Sequence, residues 1–305
     1  MEYTKAFLSY ENQADLLIAR GLQGNRDDLI NHLKSVNYYR LSGYWYPFRQ
    51  TNPADGNSKL DNFYPGTTVA KIWDRYVFDR RLRLLLMDAL ERIEVDARTY
   101  LAYLHADKHG AFGYADDPAS LPHLSPKDRT RLLAGFRREL VDGEEDFVVH
   151  FRNKYGSHHN DFPIWVACEI MTFGNMFTFY RGCERSIQKE LAERYGIKDV
   201  VCSSWLKTLN MVRNICAHHA RLWNRVLGIK PMMPNKDPKW NLPAPIPNDR
   251  VFAVLTICRH CLNVIAPGNE WANRFKSLLT AHPEIPHGGL GLIADWNLHP
   301  LWSLP

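Results

Sequence analysis

From residue 67 to about residue 107 the apolar side chains recur every three or four positions: Val69, Ile72, Trp73, Tyr76, Leu84, Ala89, Leu90, Ile93, Ala97, Leu101 and Leu104. That period belongs to an α-helix with one apolar stripe. A helix of about 40 residues runs ~60 Å at 1.5 Å per residue, so a kink or break is expected within it. Opposite charges spaced i,i+4 (Asp79/Arg83, Asp88/Arg92, Glu94/Arg98) read as lining its other side, each pair worth only a few tenths of a kcal/mol. An element of this length has to be the backbone of the fold.

The remaining pattern is also helical. Ser9 is placed to cap a short helix with Ala14, Leu16 and Leu17 as its apolar positions, and Asp27 and Asp28 start a second with Leu29, Ile30, Leu33 and Val36 inward. The aromatic block at residues 38–48 reads as core and packing ridge. Residues 52–66 and 110–126 read as loops, and residues 127–155 as a polar, arginine-bearing helical region. Asp161, with Pro163 after it, opens a helix through Trp165, Ile170, Phe173, Phe177 and Tyr180. A short helix at 186–195 follows. Ser203 or Ser204 then caps a helix whose apolar face is Trp205, Leu209, Val212, Cys216, Ala220, Trp223 and Leu227. After a proline-rich linker at 231–247 come helices at about 248–265 and 270–281, and an irregular tail at 282–305. Strand signals are nearly absent, so the predicted fold is all-α. The organisation read from this pattern is an N-terminal helical and aromatic segment at 1–60, a helical core at 61–228, and a linker, further helices and a Trp/Pro-rich tail at 229–305, together one compact unit.

Apolar residues make up 45% of the 305 and charged residues 23%, which provides for a real core and sets disorder aside. The first residues, MEYTKAFLSYENQ, lack a basic stretch followed by an apolar one, and no window approaches 18 uninterrupted apolar residues. A soluble, cytoplasmic protein with no membrane association is the expectation. The six cysteines are scattered, mostly singly among apolar neighbours, as small buried residues in a reducing compartment are. The net charge of +5 is mild, but arginines outnumber lysines 24 to 14, and the guanidinium is the better bidentate phosphate ligand.

The segment Arg213-Asn214-Ile215-Cys216-Ala217-His218, followed by His219, places a guanidinium, an amide and an imidazole on one helix. An imidazole titrates near neutral pH and can take the proton of a ribose 2′-hydroxyl, while a guanidinium can hold and neutralise the phosphate. Spacing alone decides nothing: 24 arginines and 13 histidines in 305 residues predict about one Arg-x4-His pair by chance. On a continuing helix, Asn214, His218, Arg221 and Arg225 form one polar stripe with Arg213 beside it. The roles that follow are His218 as general base, Arg213 as stabiliser of charge on the phosphorane, Asn214 as an orienting amide, and Arg221 and Arg225 as grip on the RNA backbone. His219 is an alternative or auxiliary base, and Glu91 and Glu94 are candidates to orient an arginine. Five residues of helix separate Arg213 from His218 by about 140° and ~7.5 Å of rise, so one copy does not converge on a phosphate. Two copies across a two-fold axis would, which makes a homodimer the expected partner arrangement. Other pairs are weaker: Arg98 and His105 lie ~10 Å apart along a helix, and Arg152 with His158 or His159 runs into a loop. No cofactor is called for, and no Cys-x2-Cys, His-Glu-x2-His or glycine-rich phosphate loop is present. The alternatives to an RNA-cleaving enzyme are a non-catalytic RNA-binding protein that holds a structured RNA, and a protein-interaction scaffold.

Several long blocks occur in one order: residues 37–48 (NYYRLSGYWYPF), 76–83 (YVFDRRLR), 90–94 (LERIE), 163–169 (PIWVACE) and 212–225 (VRNICAHHARLWNR). In these the chain resembles the Abi-like (AbiD/AbiF) abortive-infection proteins of bacteria, over most of its length. That family is similar to the HEPN superfamily. The resemblance implies a HEPN-like helical bundle with an N-terminal helical extension and an irregular C-terminal tail. It further implies a dimeric, metal-independent ribonuclease whose Arg-x4-6-His motif falls on Arg213, Asn214 and His218. Phage defence by RNA cleavage or translation arrest, with a small RNA as a further partner, is the implied setting.

Overall fold

The structure is a computed structural model that describes residues 2, 6–234 and 236–303. Parts of the readings of the first residues, the proline-rich segment and the tail fall on Met1, residues 3–5, Asn235, Leu304 and Pro305, which lie outside the described residues. Three helices, α1 (Tyr10–Ala19), α2 (Arg26–Val36) and α3 (Tyr38–Trp45), lead into an antiparallel hairpin of β1 (Arg49–Thr51) and β2 (Lys59–Phe63). There follow α4 (Val69–His109), α5 (Gly113–Asp116), α6 (Pro126–Asp142), α7 (Asp146–Tyr155), α8 (Ile164–Ala167), α9 (Phe173–Gly182), α10 (Arg185–Arg194), α11 (Asp199–Ala217), α12 (Val251–Ile265) and α13 (Trp271–Ala281). The fold is predominantly all-α, as the periodicity predicts.

Helix α4 runs for 41 residues as one uninterrupted helix; the expected break does not occur. The Thr68 hydroxyl caps it by accepting from the Lys71 amide at 3.2 Å, which satisfies one of the donors that a helix start leaves free. Helices α3, α8, α10, α11, α12 and α13 all pack against α4, so tertiary burial supports a length that isolated propensity would not. Its surface charges pair outward rather than along the helix: Asp88 with Arg274 of α13 at 2.9 Å, and Arg98 with Glu169 at 3.0 Å.

The Ser9 cap holds, whereas α2 starts at Arg26, ahead of the predicted Asp27 and Asp28, with Asn25 as its cap. Ser9 accepts from the Asn12 amide, and Asn25 accepts from those of Asp27 and Asp28. Other boundaries shift. The loop read at 52–66 contains strand β2, a polar strand whose only buried side chain is Phe63, so it carries no alternation to read. The loop read at 110–126 holds α5. The single helix read from Asp161 to Tyr180 is two, because Met171 is extended and Thr172 caps α9 afresh. Helix α11 begins at Asp199, ahead of both predicted caps, and Ser204 instead accepts from the Met232 amide at 2.8 Å. Trp205 donates its indole N–H to the Met232 carbonyl at 2.8 Å, so the proline-rich segment is laid along α11.

Helix α12 is buried at every position from Val251 to Leu262. The irregular tail closes over it: Trp302 stacks on Phe252 with ring centroids 5.6 Å apart and donates to Thr256 Oγ1 at 3.0 Å. The hydrophobic core is one contiguous cluster that extends from Ala14 to Trp302. All six cysteines are buried and free. No helix among the described residues is long and apolar enough to cross a membrane.

Candidate active site

The motif lies at the end of α11, and that end is the main departure from the helical stripe expected in this region. The helix stops at Ala217, with His218 as its C-cap. His219 takes the left-handed conformation at φ 57°; its amide donates to the Cys216 carbonyl at 3.0 Å, and the Ala220 amide donates to that of Ile215 at 2.9 Å. These are the two bonds of a Schellman turn, which usually places glycine at the left-handed position. The chain then reverses, so Ala220, Trp223 and Leu227 do not continue a helical face. The stripe of Asn214, His218, Arg221 and Arg225 does not exist as a helix surface.

Arg213 sits on the α4 side of α11, a third exposed, with its Nε 3.9 Å from Glu94 Oε2 and an Nη 3.5 Å from Asn214 Oδ1. Glu94 is largely buried, and burial pushes its carboxyl above the usual range while the Arg213 and Arg98 guanidinium groups pull it back down; Glu91 pushes it up again. Of the two glutamates predicted to orient an arginine, Glu94 contacts Arg213, and Glu91 is exposed.

Asn214 and His218 are exposed on the other flank. They line an open groove of about 590 Å³ together with Lys207 and Asn210, over a floor that includes Phe177, Met211 and Ile215. Lys207, Asn210, Asn214 and His218 therefore share one side of α11; Arg213 does not line this groove but meets its edge at Asn214 Oδ1. Cys216, within the motif, is buried, and burial pushes its thiol up to about 12, which makes it packing rather than a nucleophile.

The predicted backbone grips separate. Arg221 lies against Gly43 of α3 and donates to the carbonyls of Trp223 at 3.2 Å and Asn224 at 3.3 Å. It holds the turn rather than facing solvent as a phosphate ligand. Arg225 is half-buried beyond it.

The turn is held most strongly by residues that motif reasoning missed. Asp79 of α4 is fully buried. One of its carboxylate oxygens accepts from the Leu222 amide at 3.1 Å and the Trp223 amide at 2.6 Å. The other accepts from the Tyr44 hydroxyl at 2.6 Å and from Arg83. Arg83 reaches on to the Ala220 carbonyl at 3.5 Å, and Arg40 donates to the carbonyl of His219. Burial, then the neighbouring Asp79, push the Tyr44 phenol far above its ordinary range, so it stays a donor. Arg75 lies over the rings of Phe48 and Trp223, at 3.7 and 4.9 Å. The Asp79/Arg83 pair expected on the surface of α4 is thus a buried pair beneath the motif. A signal existed: Ile72, Asp79, Leu86 and Ile93 follow one another at seven-residue steps, so Asp79 falls in phase with the buried side of α4.

Residues 31–224 match the Abi-like protein family. The chain belongs to this family. The match spans the aromatic block, α4 and the motif turn, and so takes in the residues that clamp that turn as well as Arg213 and His218. Membership ties the Abi-like chain to abortive-infection phage defence. Neither the curated proteins nor the solved structures give a match.

A larger cavity of the Abi-like chain, about 880 Å³, lies elsewhere, between α6, α7 and the loop at 156–161. It contains Arg152, His158 and His159. Its arginines are committed to the fold: Arg152 donates to the carbonyls of Leu140, Val141 and Gly143, and Arg137 forks onto Asp161 at 2.9 and 2.7 Å. Arg98 is likewise engaged by Glu169, and His105 is buried. Among the described residues no group of three or more His, Cys, Asp or Glu side chains is placed to hold a metal ion.

Proposed function

We propose that this chain is a HEPN-like, metal-independent endoribonuclease of abortive-infection defence, active in the cytoplasm as a homodimer. The observation that carries the reading is the presentation of His218: an exposed imidazole at the end of α11, beside Asn214 on the rim of an open groove, on a turn whose backbone is tied to α3 and α4. In this reading His218 takes the proton from a ribose 2′-hydroxyl and the freed oxygen attacks the adjacent phosphorus. The bond to the 5′-oxygen breaks and that oxygen takes a proton from water, leaving a 2′,3′-cyclic phosphate and a 5′-hydroxyl, while protonated His218 returns its proton to solvent. Arg213 neutralises charge that builds on the non-bridging oxygens, and Asn214 donates to one of them. Lys207 and Arg225 supply electrostatic grip on the strand. Arg213 leans towards Glu94 while His218 faces the groove, which supports a site in which one phosphate meets both groups where two copies of the motif face each other.

The test is cleavage of cellular or phage RNA by the purified protein in EDTA. Arg213→Ala and His218→Ala variants that fold normally should each lose about 10²- to 10⁴-fold in rate, the range of an acid–base or charge-stabilising group. Wild-type products should carry cyclic phosphate ends. If both variants cut as the wild type does, the reading fails. Salt-dependent RNA binding by a wild type that never cuts would favour the non-catalytic RNA-binding alternative.

A further inference from the structure

We infer that Asp79 is a positioning residue for His218, acting through the backbone of the turn rather than through the imidazole. The catalytic part of this inference rests on the nuclease reading above. Among the described residues nothing hydrogen-bonds the His218 ring, so the path of the chain beneath it sets where the ring points. That path is unusual: helix α11 stops one residue earlier, and His219 stands in the left-handed region where glycine is favoured. A non-glycine residue persists there when its surroundings over-determine it.

The surroundings do so here. The carbonyls of His219 and Ala220 receive Arg40 and Arg83, and the amides of Leu222 and Trp223 end on Asp79. Asp79 is the common node, because it also receives Tyr44 and Arg83. Four donors converge on one carboxylate, and only a carboxylate can accept them all. An asparagine at this position would keep the shape, but whichever way it turns, its amide nitrogen faces donors on one side, and Arg83 is left buried without a counter-charge, so the clamp loosens as a whole. The clamp joins three separate stretches of sequence: α3, α4 and the turn after α11.

The experiment compares wild type, Asp79→Asn, Tyr44→Phe, His218→Ala and the double variant Asp79→Asn/His218→Ala, with two readouts. Amide hydrogen exchange reports the clamp whether or not the protein cleaves RNA. In Asp79→Asn the Leu222 and Trp223 amides should exchange at least tenfold faster while those in the middle of α4 keep their rates. Steady-state cleavage reports the positioning. Asp79→Asn should lower kcat at least tenfold with KM within about twofold, and should add nothing on top of His218→Ala. Tyr44→Phe removes one of the four donors and leaves the charge pair, so it should fold and lower kcat by a smaller factor. Unchanged exchange at Leu222 and Trp223 overturns the clamp. A kcat loss that is the same with and without His218 overturns the positioning role, because the effect would not pass through that imidazole. A wild type without cleavage overturns the nuclease reading instead, and the exchange measurement still decides the clamp.

Discussion

At the residue scale the site depends on a conformation that its sequence disfavours. A left-handed non-glycine residue costs on the order of 1–2 kcal/mol, and glycine returns about 0.4–1 kcal/mol of that through unfolded-state entropy. His219→Gly should therefore raise stability by about 0.5–1 kcal/mol, read as a higher urea midpoint at unchanged slope. It should leave cleavage intact if His218 is the base; loss of both stability and activity would assign His219 a role of its own. Arg213, Asn214 and His218 were legible because guanidinium, amide and imidazole advertise chemistry by type. Asn214 and His218 line one groove together, and Arg213 sits between Glu94 and the groove's edge at Asn214. Asp79 was not legible in the same way. An Asp/Arg pair at i,i+4 is ordinarily a surface decoration, and only its phase against Ile72, Leu86 and Ile93 told against that. The partners that make it matter lie 35 residues before it and more than 140 after it, and no local pattern encodes such a distance.

At the scale of elements, helix periodicity identified α4 and most other helices, and failed where a helix ends. Trp223 and Leu227 keep a 3/4 spacing from Cys216 and are buried, yet they are buried by a reversing chain. The stop at Ala217 has no glycine or proline to announce it. Its cause is tertiary: the pull of Arg40, Arg83 and Asp79 on the groups that follow. The consequence separates two arginines that the helical stripe had joined. Arg221→Ala removes a charged donor from two carbonyls and should destabilise the fold by about 1–2 kcal/mol. It should leave the slope of log Kd for RNA against log salt unchanged, whereas Arg225→Ala should reduce that slope by about 0.7 for a single strand. A reduced slope for Arg221→Ala, measured by fluorescence anisotropy, would return Arg221 to the RNA interface.

At the scale of the whole molecule, one core spans α1 to the tail, and it encloses histidines as well as apolar residues. His105 is fully buried against Phe179 and His109, and burial followed by the neighbouring His109 brings its pKa down to about 4. His260 and His299 are lowered in the same direction, chiefly by burial. For a base with a depressed folded pKa, the unfolded chain takes up the proton first. The stability is then complete above about pH 6.5 and is lost as pH falls towards 4, about 3 kcal/mol for His105. Urea melts at pH 7 and pH 4.5 should show a smaller loss for His105→Leu than for wild type; equal losses would remove His105 from the account. The largest arrangement is the proposed pairing of two copies, each supplying what the other's site lacks. It is tested most directly by mixing inactive Arg213→Ala and His218→Ala proteins after subunit exchange. Random pairing puts half the dimers in the mixed form with one intact site of two, so cleavage should return to about a quarter of the wild-type rate. A mixture as inactive as its components, with mixed dimers shown to have formed, would contradict a site shared between two chains.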